Sequence, residues 1–361
     1  MIPPRFESIV QCPDCGGALA GDPSGAGAIR CAGCGRVFPA HDGYLDLRPL
    51  ATFTEQTKYL DDALHVDARH ETISPPVLGS KIRNDMLRKF LALGPGDRVI
   101  DLGCGSGRAL AWNADSAASL TGIDISPFFA RQAIDRCGLV LGDLRRLPLR
   151  DRAFNKAWSL DVLEHLSRQA LADVLREANR VLDDDGVLFI YTHVRQNGWI
   201  GGGLRLVNRL AHGLERLGLL DLKQERLRKS DHLNPIADHD DLRRVLAEHG
   251  FTIDRLTYYT PIVGALVENI LVRMAERVMT RRAERRLQGA DTSGAAAREV
   301  RAAAKARVGG KGPTYRALVA LTMLMKIDLL LFGRLRSGPF FARVRKTPRV
   351  KLDDAPALRR A

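Results

Sequence analysis

The sequence predicts an α/β protein built on a doubly wound parallel sheet, with a small cysteine-rich unit ahead of it and large helical insertions within it. Three observations carry that expectation. A short apolar run ends in an acidic residue and a glycine-rich turn at Val99–Gly107, V-I-D-L-G-C-G-S-G. Strand-length apolar runs then alternate with helix-length stretches as far as residue 260, the pattern of a parallel sheet covered by helices. Before them stand two C-x2-C pairs separated by fifteen residues.

A chain of 361 residues exceeds one average domain, so a core with additions is expected. The formal charge of +13 favours anionic partners such as RNA, lipid headgroups or phosphorylated substrates. Met1–Val10 holds two prolines and two charges, which is not a signal-peptide pattern. No apolar run reaches the ~18 uncharged residues that a spanning helix needs. A cytoplasmic protein is expected, with contact to the inner face of the membrane as a peripheral option. Nothing in the sequence fixes an oligomeric state.

Residues 1–50 are organised by Cys12-Pro-Asp-Cys15 and Cys31-Ala-Gly-Cys34, each followed by glycine, Gly16 and Gly35. A turn of this kind aims two thiolates at one point, and two such turns complete a tetrahedral site for Zn²⁺. Four protein ligands leave no open position, so the ion would be structural. A unit this small needs the metal for its folding energy.

Residues 51–97 form a helical lid or linker. Thr54–His70 reads as helix and offers Tyr59, His65, Arg69 and His70 toward a lid; Ser80–Leu93 is amphipathic, with Ile82, Met86, Leu87, Phe90 and Leu91 on one face. Gly94-Pro-Gly-Asp97 stops that helix.

The core, 98–260, follows in order. Strand 98–101 leads to helix 108–118, strand 119–123 to helix 127–137, then strands 139–141 and 153–159, helix 168–181, strand 187–192, helix 238–249 and strand 251–259. Ligands of such sheets bind at the carboxyl ends of the strands. Asp101 and Asp124 close the first two strands, 23 residues apart, and Asp143 closes the third. A carboxylate after the second strand can accept both ribose hydroxyls of a nucleoside. The glycines at 103, 105 and 107 let the backbone take φ > 0 and approach a ligand closely.

D-L-G-C-G-S-G at 101–107 resembles motif I of class I S-adenosylmethionine (SAM)-dependent methyltransferases. Over residues 80–260 the chain resembles the broad type 11 group, which includes ubiquinone, menaquinone and many lipid methyltransferases. The resemblance implies a Rossmann-like SAM-binding sheet. It places cofactor contacts at Asp101, Gly103, Cys104, Gly105, Gly107, Asp124, Ile125, Asp143, Leu144 and Ser159. Asp143 would meet the adenine amino group, with Leu144 against the ring. Leu147-Pro-Leu149 and Phe154 resemble the family's approach to its fourth strand, with Asn155 where aspartate is usual. The cysteine unit with Arg36–Pro49 resembles the ribbon of bacterial 23S rRNA guanine methyltransferases.

After the fourth strand comes Ser159-Leu-Asp-Val-Leu-Glu-His-Leu166. A helix there would put Asp161, Glu164 and His165 on one face, a set able to hold Mg²⁺. Methyl transfer needs alignment, plus a base where the acceptor carries a proton. His165, His193 and His232 are the candidates.

Two additions remain. Gly198–Arg228 carries apolar residues at helical spacing with Arg205, Arg209 and Arg216 among them; 261–338 interrupts the hairpin between strand 251–259 and the last core strand, 339–346. Pro261–Leu287 is amphipathic and arginine-rich, Gln288–Gly312 has linker composition, and Tyr315–Phe332 is apolar but broken by Lys326 and Asp328. The tail 347–361 has the composition of a disordered segment. Helices of this type pack as a lid or dip into an anionic membrane surface through 198–228 and 261–335. The favoured function is methyl transfer to a hydrophobic small molecule or lipid. RNA methylation and a SAM-binding scaffold that docks a partner protein stay open, though 6% aromatic content leaves few stacking platforms for RNA.

Overall fold

In a computed structural model of the chain, Val99 to Leu102 are buried in the middle of the central sheet. The structure describes residues 3–21, 28–39, 41–50, 72–195, 198–222, 226, 232–284, 303 and 308–347. The expected helix at 54–70, most of 285–307 and the tail from 348 lie outside the described residues.

The continuous apolar runs form strands covered on both faces, as parallel sheets require. β5 (Arg98–Leu102), β6 (Ser119–Asp124), β7 (Gly138–Leu141), β8 (Phe154–Leu160) and β9 (Leu182–His193) pair in parallel, in the spatial order β9-β8-β5-β6-β7. β5 therefore has β6 on one side and β8 on the other. The order reverses there, so the glycine turn after β5 opens at the topological switch point. β10 (Phe251–Tyr258) and β11 (Pro339–Lys346) extend the sheet beyond β9, with β11 between them and antiparallel to both.

The cysteine-rich unit holds a three-stranded sheet of β1 (Leu19–Gly21), β2 (Ile29–Cys31) and β3 (Val37–Phe38). The chain then runs into β4 (Leu45–Asp46), which pairs in parallel with β7 and forms the eighth strand of the central sheet. A short helix unforeseen in the sequence, α1 (Pro4–Glu7), buries Phe6 beside Gly138. Phe6, Val10, Ile29, Phe38 and Leu47 share one apolar core with Ile100, Val140 and Leu149.

α2 (Leu78–Leu91) buries the face expected of it, Ile82, Met86, Leu87, Phe90 and Leu91, and ends at Ala92 in the left-handed conformation. Two helices are shorter than expected. α3 (Arg108–Asn113) stops because Asn113, fully buried, bonds its amide to the Ala109 carbonyl and to Asn84 Oδ1, a side-chain competitor of the helical ladder. α4 spans only Arg131–Ile134. Ala130 is extended, with φ −71° and ψ 139°, so the helix begins only at Arg131, and Phe128 and Phe129 are buried ahead of it. α5 (Arg168–Val181) matches its expected span and is capped by the Ser167 hydroxyl, which accepts from Ala170 N.

The additions are helical. α6 (Gly201–Arg216) follows β9, and α7 (His239–Glu248) precedes β10 under an Asp238 cap. The amphipathic stretch after β10 comprises α8 (Ile262–Ala265), a π-helix (Leu266–Val272) and α9 (Arg273–Glu284). Ala211, Leu220, Leu222 and Ile270 form its contact with α6, joined by Val207, Leu214 and Met274. The apolar stretch near the end forms α10 (Pro313–Met325) and α11 (Ile327–Phe332). The two charges that break it are used internally. Asp328 is fully buried and accepts from Val263 N and Gly264 N at 3.0 and 2.8 Å, while Lys326 pairs with Asp85 at 2.7 Å.

Candidate active site

The turn after β5 folds as its glycines demand. Gly103, Gly105 and Gly107 have φ of +83°, +54° and +82°. Gly103 N and Cys104 N donate to the Ile123 carbonyl at 2.9 and 3.1 Å, tying the turn to β6. Asp124, at the end of β6, takes Gly105 N on Oδ2 at 2.7 Å and Ser126 N on Oδ1 at 2.9 Å. A carboxylate at this strand end offers two acceptor oxygens, which fits the two hydroxyls of a ribose. Asp101 is 2% exposed, and burial pushes its carboxyl up to about 8. The Trp158 indole N–H offsets part of this without completing a hydrogen bond, and nearby Asp124 adds to the rise. Burial raises Asp124 as well. Two carboxyls that resist ionisation beside a bare backbone turn fit a cationic nucleoside such as SAM.

The other expected cofactor contacts fall into three groups. Ile125 is half-buried directly after Asp124. Asp143 and half-buried Leu144 follow β7, but both Asp143 oxygens accept from Arg145 Nε at 3.1 Å, so a ligand there shares the carboxylate with that guanidinium. Cys104 and Ser159 face inward. The Cys104 thiol, pushed well up by burial, packs where a side chain on Gly122 would stand, and the Ser159 hydroxyl donates to the Leu102 carbonyl at 3.2 Å. Both fix the turn and β5 from beneath.

A Cβ at Gly103 would collide with Val162 Cγ2, on top of the left-handed backbone. Gly103→Ala is expected to weaken SAM binding at least tenfold, by calorimetric titration. The melting temperature should fall by only a few degrees, because the clash is local to a surface-opening turn.

At the acceptor side, the segment after β8 is not the helix that the expected Mg²⁺ set requires. Asp161 has φ +55°, and only Leu163–His165 makes a single 3-10 turn. Asp161 is drawn instead to Arg83 of α2, with Nε to Oδ2 at 3.4 Å. That guanidinium lies 5.5 Å from the Tyr191 ring centroid. Glu164 turns the other way. It is 2% exposed, accepts the Thr192 hydroxyl on Oε2 at 2.7 Å, and has Oε1 3.9 Å from His193 Nδ1. Burial, then the Asp161 charge, push its carboxyl up to about 8.

All three candidate bases meet at Glu164. The rings of His165 and His232 are 4.6 Å apart, and those of His193 and His232 5.1 Å apart, between centroids. Leu233 N and Asn234 N donate to the Glu164 carbonyl at 2.8 and 2.9 Å, which pins the loop bearing His232 onto the 3-10 turn. The sequence named each histidine singly. Arg83, Tyr191 and Thr192 went unnamed, since no motif spacing links α2 or the interior of β9 to this turn.

The four N-terminal thiols converge as well. Cys12 Sγ lies 3.8 Å from Cys34 Sγ, and Cys15 Sγ 3.4 Å from Cys31 Sγ. Four sulfurs at ~2.3 Å from one Zn²⁺ stand ~3.8 Å apart, so the cluster fits that ion. Burial opposes ionisation of Cys31, but the amides of Cys34 and Gly33 prevail and hold it at about 6. Buried Cys12 sits at about 12.

A family described as a methyltransferase domain matches residues 100–190. A sterol 4-C-methyltransferase of Caenorhabditis elegans is 31% identical over 118 residues, 30% of this chain and 35% of that protein. A 24-methylenesterol C-methyltransferase of Oryza sativa is 30% identical over 186 residues, 48% of this chain and 46% of that protein. The matched stretches thus span less than half the length of either relative. Among solved structures, the phosphoethanolamine N-methyltransferase 2 of Haemonchus contortus aligns with a TM-score of 0.47 at 15% identity, over 81% of this chain and 59% of that one.

Proposed function

We propose that the protein, whose residues 100–190 match a methyltransferase-domain family, transfers the SAM methyl group to a hydrophobic, lipid-type acceptor at a membrane surface. The two sterol methyltransferases support the acceptor class by their names. The carrying observation is the outer face of α6. Leu206, Leu210 and Leu217 are exposed at helical spacing, and Arg205, Arg209 and Arg216, also exposed, form a parallel stripe one residue away. Trp199 stands 81% exposed just ahead of them, and Leu330 of α11 83%. Apolar residues flanked by arginines suit the boundary between acyl chains and anionic headgroups. No helix among the described residues is long and apolar enough to cross a membrane.

When bound, SAM supplies an already activated methyl on its sulfonium. The chain must then hold donor and acceptor in line and manage a proton where the acceptor has one. In this reading Asp124 holds the nucleoside, and the glycine turn lets it approach the backbone closely. Asp101 supplies negative charge beneath the cofactor. The Glu164 cluster faces the acceptor, with Arg83 paired to Asp161 beside it. The cysteine unit carries Zn²⁺ as a structural ion.

The decisive assay supplies methyl-labelled SAM to the purified chain with a cell extract, followed by organic–aqueous partition. Label in the organic phase is expected. Label in an RNase-sensitive aqueous fraction would replace the lipid reading with RNA methylation, and SAM binding with no transfer would favour the scaffold. In parallel, flotation with phosphatidylglycerol vesicles should be salt-sensitive and fall at least fivefold in a Trp199→Ala/Leu206→Ser/Leu210→Ser variant. Unchanged flotation would remove α6 from the membrane contact.

A further inference from the structure

We propose that Glu164, His165 and His232 bind one divalent transition-metal ion, with His193 at hand as a fourth donor. One donor atom from each of the three side chains lies within 4.8 Å of the others. Donors sharing an ion stand ~3–3.5 Å apart, so side-chain rotation closes the remaining gap. The backbone is already in place, because the loop of His232 is bonded through two amides to the carbonyl of Glu164.

Two further observations point to a cation here. Glu164 is a carboxyl with 2% exposure whose Oε2 accepts from a neutral hydroxyl, Thr192, and whose Oε1 lies 3.9 Å from His193 Nδ1; a metal ion there would take the place of the proton that burial favours. The nearby guanidinium of Arg83 faces Asp161 instead. On the His232 loop, Asn234 carries a buried side-chain oxygen with no hydrogen-bond donor, an acceptor left unsatisfied within this loop. The donor chemistry selects the metal. Mg²⁺ demands oxygen ligands, whereas two imidazoles with one carboxylate suit manganese, iron, cobalt or zinc. The set also differs from the one the sequence suggests, since Asp161 is committed to Arg83.

The position gives the ion a use. Val162, two residues before Glu164, packs on Gly103 of the cofactor turn, so the segment that carries Glu164 adjoins that turn. On the methyltransferase reading, it would favour an acceptor bearing a hydroxyl or enol oxygen, held by that oxygen. Binding of the ion itself does not depend on that reading.

The test is a Mn²⁺ titration of the full chain followed by electron paramagnetic resonance, with zinc content measured beforehand. Four thiolates select soft ions, so Mn²⁺ reports on the Glu164 site apart from the cysteine cluster. One Mn²⁺ per chain is expected, with affinity at least tenfold lower in His232→Ala and in His165→Ala, both half-buried positions whose loss leaves the core intact. SAM binding is measured on the same samples and should persist in both variants. Absence of Mn²⁺ binding by the unaltered chain, or equal binding by the variants, overturns the metal site. Mn²⁺ binding without SAM binding would overturn the methyltransferase reading and leave the site standing.

Discussion

Replacing Cys31 by alanine is expected to remove the zinc, lower the melting temperature by ~10 °C or more and weaken SAM binding. The first effect follows from the converging thiols, since three ligands hold a structural ion far less well than four. The second follows from what the cysteine unit is joined to. Its Phe6, Val10, Ile29 and Phe38 lie in one core with Ile100 and Val140 of the central sheet, so its collapse opens the sheet's own interior. Loss of a structural metal belongs to the few mechanisms that cost several kcal/mol, and ~4 kcal/mol corresponds to about 10 °C for a domain of this size. The third effect runs through β4, which covers the edge of β7 just before Asp143. Asp14, beside the cysteines, accepts from Leu50 N at 3.1 Å and pairs with Arg36, while Arg146 donates to its carbonyl. The loop after Asp143 is therefore tied to the cysteine turn. Zinc content, thermal melting and calorimetric SAM titration of Cys31→Ala check the chain of effects. A variant that melts and binds SAM like the parent would reduce the cysteine unit to an appendage.

The contrast between what the sequence revealed and what it hid has a physical basis. Val99–Gly107 could be read because strand, turn and ligand contact are local there: the glycines state their own backbone requirement. The strands were legible because their apolar runs are continuous. Asp124 could be placed at a strand end by counting. The errors arose where distant contacts decide. Asn113 ends α3 through Asn84, a partner far back in the chain. The Asp161–His165 helix fails because Arg83 draws Asp161 outward while Thr192 and the His232 loop hold Glu164 inward. The convergence of three histidines depends on a loop with no regular structure bonding to a carbonyl, which leaves no periodic trace. Lys326 and Asp328 looked like interruptions of an apolar face. Asp328 is in fact the acceptor that caps α8, and Lys326 is the partner of Asp85.

The affinity for SAM is expected to rise with pH, close to tenfold per unit between pH 6 and 7.5, and Asp101→Asn should abolish most of that slope while binding more weakly at the upper end. Asp101 stands at about 8 in the ligand-free protein, raised first by burial and further by the Asp124 charge. Below that value it is mostly protonated. SAM brings a permanent sulfonium, whose charge does not change with pH, and a nearby cation favours the ionised carboxyl. Binding must then expel a proton, and each unit of pH below the free pKa costs a factor of ten. The same displacement has a consequence for stability. A carboxyl whose folded pKa lies above its unfolded value of ~3.9 penalises the fold as it ionises. The ligand-free chain should therefore lose stability as pH rises from about 4 toward 8. Asp101→Asn should lose less over that range, and SAM should restore the parent most strongly near pH 7.5. Calorimetric titrations in two buffers of different ionisation heat measure the proton release directly. Release near one proton at pH 6.5 in the parent, and near zero in Asp101→Asn, is the expected pair of results. Equal release from both proteins would assign the titrating group to another carboxyl, such as Glu164. No release from the parent would show that the cofactor's charge is not felt by Asp101 at all.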